Sequence, residues 1–127
     1  MTKERKEVIL ALGSNYEQQG NIERAQAELR RAIDRDIVFA TPMWTRPIGI
    51  VSEKFLNCLA FCHTSLELKQ VISTLKDIER TCGRREDERA DDMIRIDIDL
   101  LKYGSTLMHE RDWTRDYVAE MMKMCPF

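Results

Sequence analysis

Asp97 and Asp99 stand two residues apart in the run Arg95-Ile96-Asp97-Ile98-Asp99-Leu100, where polar and apolar residues alternate. That alternation reads as a β-strand. Strand geometry puts Arg95, Asp97 and Asp99 on one face and Ile94, Ile96, Ile98 and Leu100 on the other. Same-face neighbours on a strand lie about 7 Å apart. Two carboxylates so placed repel each other unless a cation sits between them. Oxygen ligands on a rigid strand suit Mg2+, which takes one or two carboxylates together with phosphate oxygens. A pair of such ions can clamp attacking and leaving oxygens. The same spacing also fits a solvent-facing strand of alternating charge, although Asp is depleted in strands.

Two further groups of residues bear on the same chemistry. Glu79 falls at the edge of an apolar helical stripe and is followed by Gly83-Arg84, a cation at the mouth of a charged loop. Phe55 and Asn57 share one strand face directly after a loop containing Pro47 and Gly49. An aromatic plate beside an amide can stack on a flat heterocycle and hydrogen-bond its edge. Each pattern has a plainer reading: a wet stripe edge with a surface cation, and a core-edge aromatic with a turn-side amide.

The elements that must hold these residues follow from periodicity. Glu7–Gly13 reads as a strand with both faces covered, because its centre is apolar throughout. Asn21 is the expected N-cap of a helix reaching about Asp34, with Ile22, Ala25, Leu29, Ala32 and Ile33 on one stripe. Ile37–Thr41 is a second strand stopped by Pro42. Residues 43–54 read as a long loop, and Phe55–His63 as a third strand. Thr64 and Glu67 form a capping-box pattern ahead of a helix whose stripe is Leu68, Val71, Ile72, Leu75, Ile78 and Cys82, with Gly83 as its stop. A charged loop over Arg84–Met93 leads into a fourth strand, Ile94–Leu101. A short helix over about Thr114–Met124 ends the chain, with Tyr117, Val118, Met121 and Met122 available to dock it. The order β-α-β-β-α-β predicts a single α+β domain over residues 1–127. It is a ferredoxin-like sandwich with an antiparallel sheet, helices on one face, the other face open for function, and a short C-terminal helix.

Composition bounds the function. Twenty Lys plus Arg against 22 Asp plus Glu give a net charge of −2, with pI near 5.7. No global positive field is available to hold nucleic acid. The longest apolar run, Val8–Leu12, is far short of the roughly 18 residues that cross a bilayer, and the first residues lack the apolar stretch of a secretory signal. Cys58, Cys62, Cys82 and Cys125 include no Cys-x-x-Cys pair, so they read as free thiols of a cytoplasmic protein.

Taken together, these residues resemble the 6-hydroxymethyl-dihydropterin pyrophosphokinases of folate synthesis. The matching pieces are Leu12-Gly13-Ser14-Asn15, Trp44-Thr45-Arg46-Pro47-Ile48-Gly49, Phe55-Leu56-Asn57, Glu79 through Gly83-Arg84, and Asp97-Ile98-Asp99-Leu100-Leu101 with Tyr103-Gly104. The resemblance implies transfer of pyrophosphate from ATP to the hydroxymethyl oxygen of a dihydropterin, with release of AMP. It implies two Mg2+ ions on Asp97 and Asp99, and ATP and the pterin as small-molecule substrates. Phe55 would stack on the pterin, Asn57 would read its edge, and Thr45 and Ile48 would complete that pocket. Arg84 would neutralise the transferring phosphates; Glu79, Arg95 and Leu100 would belong to the ATP side.

Relative to the family pattern, the chain reads as a short, C-terminally truncated member. No Pro-His segment follows the fourth strand, and the family's second pterin-stacking aromatic has no evident counterpart. His109, Arg111 and Arg115 are the candidates for the family's missing His and Arg. Two other functions share the pattern. One is a non-catalytic family member holding nucleotide, pterin or a protein partner. The other is an RNA-binding domain, which the two strand carboxylates oppose by repelling phosphate.

Overall fold

The computed structural model describes residues 4–47, 49–89 and 92–127. Strand β1 (Lys6–Ser14) lies at the centre of the sheet, antiparallel to β4 (Phe55–Thr64) on one side and to β5 (Asp97–Tyr103) on the other. Strand β2 (Val38–Phe39) and strand β3 (Met43–Thr45) pair with the outer side of β4, and β6 (Thr106–Leu107) with the outer side of β5. The order β2-β4-β1-β5-β6, antiparallel throughout, is that of the expected ferredoxin-like sandwich.

Helices α1 (Gln18–Ala32) and α2 (Leu68–Thr81) cover one face. Their apolar stripes meet Val8, Leu10 and Leu12, Leu56, Cys58, Ala60 and Cys62, and Ile96, Ile98 and Leu100 in one continuous core. The helix-covered face expected for Ile96, Ile98 and Leu100 is thus the one observed, and β1 contributes side chains to packed clusters on both of its faces, as its apolar centre predicts. The four cysteines are free, and three of them are buried. Burial pushes the Cys58 thiol up to about 11 and the Cys62 thiol up to about 12, so both are packing groups.

The opposite face is not wholly open. Ile9, Leu59, Phe61 and Leu101 project from it and are closed over by Val118 and Met121 of α4 (Asp116–Met122). The Leu59 amide donates to Met121 Sδ at 3.3 Å. Apolar side chains at one end of this face demanded a cover, and the C-terminal helix supplies it. Among the described residues, the clefts on this face lie toward the end nearest Gly13.

Several element boundaries differ from the sequence reading, each for a local reason. Helix α1 begins at Gln18 because Glu17 takes a left-handed φ of 44° and turns the chain early. Asn21 is thus inside the first turn, buried, and donates from Nδ2 to the Tyr16 carbonyl at 2.7 Å. The capping box of α2 is Glu67 with Gln70, while Thr64 stays in β4. The loop expected over 43–54 contains β3, laid against the start of β4. The charged loop contains the single turn α3 (Glu86–Arg89). Strand β5 starts three residues late, at Asp97, because Gly13 opposite Asp97 is the last β1 residue in that ladder. Beyond it the Asn15 side chain takes over. Its Oδ1 accepts from the Ile94 amide at 2.7 Å, its Nδ2 donates to the Asp92 carbonyl at 2.7 Å, and its own amide donates to the Ile94 carbonyl at 3.0 Å. Gly83 ends the α2 segment with φ +91°, a conformation that only glycine adopts at little cost.

Candidate functional site

One rung of the sheet assembles the site. Gly13 of β1 is in register with Asn57 of β4 on one side and with Asp97 of β5 on the other. Ala11, two residues earlier, pairs with Asp99. Residues more than eighty positions apart in sequence are thereby neighbours on one face. A Cβ on Gly13 would stand 3.4 Å from Asn57 Oδ1 and 3.6 Å from Phe55 Cδ1, so the glycine forms a floor over which both side chains lie.

Two clefts share Asp97 and Asp99 as a common wall. The smaller, about 410 Å³, is lined by Thr45, Phe55, Asn57 and Tyr117 as well as the two acids. Asn57 is buried and its orientation is fixed, because Nδ2 donates to Thr45 Oγ1 at 2.6 Å. Its Oδ1 is left toward Gly13 as an acceptor. The larger cleft, about 880 Å³, is lined by Glu79, Arg84, Leu100 and His109 with the same two acids. Ile72, Leu75 and Met108 give it an apolar side, and Lys76 and Arg80 bring two more cations.

Arg84 is the electrostatic hinge between α2 and β5. Its Nη1 donates to Glu79 Oε2 at 2.7 Å and to Asp97 Oδ1 at 2.8 Å. Glu79 Oε2 also accepts from the Ile98 amide at 2.7 Å, so a buried carboxylate on the helix grips the backbone between the two strand acids. Burial raises the Glu79 pKa above the usual carboxylate value, opposed by the Ile98 amide and the Arg84 guanidinium. Asp99 has no ion pair among the described residues. Burial, followed by the charges of Asp97, Asp112 and Glu79, pushes its pKa up to about 7. A crowded, half-buried set of hard oxygens of this kind fits a divalent cation, which would offset the repulsion.

The structure thus brings together Thr45, Phe55, Asn57, Asp97 and Asp99 in one cleft, and Glu79, Arg84, Asp97, Asp99 and Leu100 in the other. Ile48 lies outside the described residues. Arg95 lines neither cleft: its guanidinium makes a two-pronged pair with Glu88, with Nε–Oε1 and Nη2–Oε2 both 2.9 Å, and lies over the Tyr16 ring at 4.6 Å. It precedes β5 and so does not share the alternation that aims Asp97 and Asp99. Of the three candidate replacements, His109 lines the larger cleft and Arg115 the smaller one, while Arg111 lines neither.

Sequence reasoning missed Tyr117 and Asp112 as site residues. Tyr117 was expected only to dock the last helix, yet it lines the same cleft as Phe55, supplying a second aromatic there. Burial, then the Asp112 charge, raises its phenol pKa. The available signal was Arg115-Asp116-Tyr117-Val118. Val118 is the buried anchor of α4, so the residue before it emerges beside the acids. Lys76 and Arg80, one helical turn apart on α2, were also missed, and both line the larger cleft with Glu79.

The family model described as 7,8-dihydro-6-hydroxymethylpterin-pyrophosphokinase matches residues 9–125. A folate synthesis bifunctional protein from Arabidopsis thaliana is 28% identical over 122 residues, covering 88% of this chain and 25% of its own length. A mitochondrial folate synthesis bifunctional protein from Pisum sativum is 31% identical over 122 residues, covering 88% and 24%. A second Arabidopsis thaliana protein, also named mitochondrial, is 32% identical over 125 residues, covering 88% and 22%. The chain spans about a quarter of the length of the curated relatives it matches. No helix among the described residues is long and apolar enough to cross a membrane.

Proposed function

The chain belongs to the 7,8-dihydro-6-hydroxymethylpterin-pyrophosphokinase family, and on that premise we propose that it transfers pyrophosphate from ATP to the hydroxymethyl group of 6-hydroxymethyl-dihydropterin in folate synthesis. In this reaction the hydroxymethyl oxygen forms a bond to the β-phosphorus, the bond from that phosphorus to the α-phosphate oxygen breaks, AMP leaves, and the hydroxyl proton passes to solvent. The observation that carries this reading is the shared wall: a heterocycle-sized cleft and a larger cleft bearing Lys76, Arg80 and Arg84 meet at Asp97 and Asp99. A group moving from a nucleotide in one to an alcohol in the other crosses that wall.

The residues divide the work accordingly. Phe55 and Tyr117 offer aromatic surfaces for the pterin, and the Asn57 Oδ1 offers an acceptor to its amino edge. Thr45 Oγ1 holds the Asn57 amide in that orientation. Leu100, with Ile72, Leu75 and Met108, gives an apolar seat for adenine in the larger cleft. Arg84, Lys76 and Arg80 offer positive charge to the triphosphate, and phosphoryl-type transfer depends mainly on such positioning and neutralisation. Asp97 and Asp99 would hold two Mg2+ ions, which when bound supply charge neutralisation at the phosphates. Glu79 keeps Arg84 and the Asp97–Asp99 backbone in place.

Incubating the protein with ATP, Mg2+ and the hydroxymethyl dihydropterin should release AMP. Release no higher than a boiled control overturns the reading, and nucleotide or pterin binding by calorimetry without AMP would favour a non-catalytic family member. Asp97→Ala should abolish activity at every Mg2+ concentration, while Ser105→Ala, on the exposed turn between β5 and β6, should leave it intact.

A further inference from the structure

The turn after β6 brings His109 and Asp112, to which the pyrophosphokinase reading gives no metal-binding role, up to Asp99 of β5. Donor atoms of Asp99, His109 and Asp112 all lie within 4.8 Å of one another. We propose that these three residues form a second divalent-cation site, one that takes a borderline transition metal such as Co2+ or Zn2+ in preference to Mg2+.

Three features carry the assignment. First, the donors come from two separate segments. Asp99 is fixed on β5, while His109 and Asp112 are delivered by one tight turn in which the Asp112 amide donates to the His109 carbonyl at 2.8 Å. The Trp113 Nε1 donates to the Met108 carbonyl at 3.0 Å and pins that turn. Second, the set includes an imidazole. Nitrogen ligands favour zinc and its neighbours, whereas Mg2+ selects oxygen. Donors around one tetrahedral ion with bonds of about 2.1 Å stand about 3.4 Å apart, so side-chain rotations of about 1 Å would close the set on a metal. Three protein ligands would leave a position for water.

Third, the two strand acids differ in what already engages them. Asp97 Oδ1 accepts from Arg84 at 2.8 Å, whereas Asp99 has no such partner among the described residues and faces His109 and Asp112. Without nucleotide, a cation arriving at Asp99–His109–Asp112 therefore finds two donors, Asp99 and His109, with no ion pair among the described residues, whereas at Asp97 it meets a guanidinium. Asp112 also pairs with Arg115, Nε–Oδ1 3.2 Å, and keeps its second carboxylate oxygen for the ion.

The site shares only Asp99 with the magnesium pair, and its test is independent of turnover. Metal-free, nucleotide-free protein is titrated with Co2+ while visible absorption is recorded, and Zn2+ is then added in competition. The expected result is one Co2+ per chain, displaced by equimolar Zn2+ and not by a tenfold excess of Mg2+. His109→Ala and Asp112→Asn should each weaken Co2+ binding about tenfold or more, and Asp97→Asn should change it by less than about twofold. His109 has φ +53°, so His109→Asn, which tolerates that conformation, gives a variant that keeps the turn and lacks the imidazole. Co2+ affinity unchanged in His109→Asn overturns the proposal. So does a thiolate-to-cobalt charge-transfer band, no Co2+ binding at all, or equal loss in Asp97→Asn. AMP release under Mg2+ is measured separately, so failure of the cobalt site and failure of the pyrophosphokinase reading give different results.

Discussion

Replacing Asp99 by Asn should stabilise the metal-free protein while destroying its chemistry. The carboxylate sits half-buried among Asp97, Asp112 and Glu79, and its pKa is pushed up to about 7. In the unfolded chain the same group titrates near 3.9. Below about pH 4 the acid is protonated in both states and contributes no penalty. Between about pH 4 and pH 7 the unfolded chain has lost the proton while the folded state retains it at increasing cost. Above pH 7 the full penalty applies. Three pKa units at about 1.4 kcal/mol each set an upper bound of about 4 kcal/mol on that penalty. About 1.5 kcal/mol of it is already present at pH 5, leaving up to about 2.5 kcal/mol to appear between pH 5 and pH 8. Asn keeps the shape and removes the charge. Urea unfolding with a chelator present, at pH 5 and pH 8, should show Asp99→Asn gaining on the parent protein as pH rises. At saturating Mg2+, ATP and pterin the same variant should lose about a hundredfold or more in rate. A variant no more stable than the parent at pH 8, or a gain identical at both pH values, would refute the reasoning about acid crowding.

Other substitutions probe the remaining parts of the site. Arg84→Ala removes a cationic partner of the buried Glu79, so unfolding free energy should fall by about 1–3 kcal/mol and AMP release by about a hundredfold; a fall in stability with no change in turnover would remove Arg84 from the chemistry. Gly13→Ala places a methyl 3.4 Å from Asn57 Oδ1, and steady-state kinetics should show a raised KM for the pterin with KM for ATP unchanged. Met121→Ala opens the small core under α4, where Met121 is 2% exposed, and chemical unfolding should show a loss of about 2–5 kcal/mol.

The helix-covered core was legible because alternation along Phe55–His63 and Ile94–Leu101 and the helical stripe of α2 leave little freedom in which face goes inward. The pairing of Asp97 with Asp99 and of Phe55 with Asn57 followed from the same period of two. Placing both pairs on one rung required knowing which strands neighbour β1, and spacing along the chain carries no such information. Strand β3 was hidden by the Pro residues around it, and β5 was read three residues too long because the alternation Ile94-Arg95-Ile96 continues past the point where the Asn15 side chain replaces the strand ladder. Asp112 and Tyr117 escaped notice because the turn at 108–113 depends on a left-handed His109, which no residue type announces. Arg95 alternates in sequence with the acids but ends its reach on Glu88, a partner supplied by a single-turn helix in an otherwise charged loop.

A ladder of main-chain hydrogen bonds cannot be edited by mutation, since every residue offers the same amide and carbonyl. Where β1 ends, however, one main-chain bond to Ile94 is joined by two from the Asn15 carboxamide, to Ile94 and to Asp92. The seam joining the charged loop to the acid-bearing strand is therefore genetically adjustable. Exchanging one amino acid can loosen or tighten the hinge of that loop while the sheet beneath it keeps every bond.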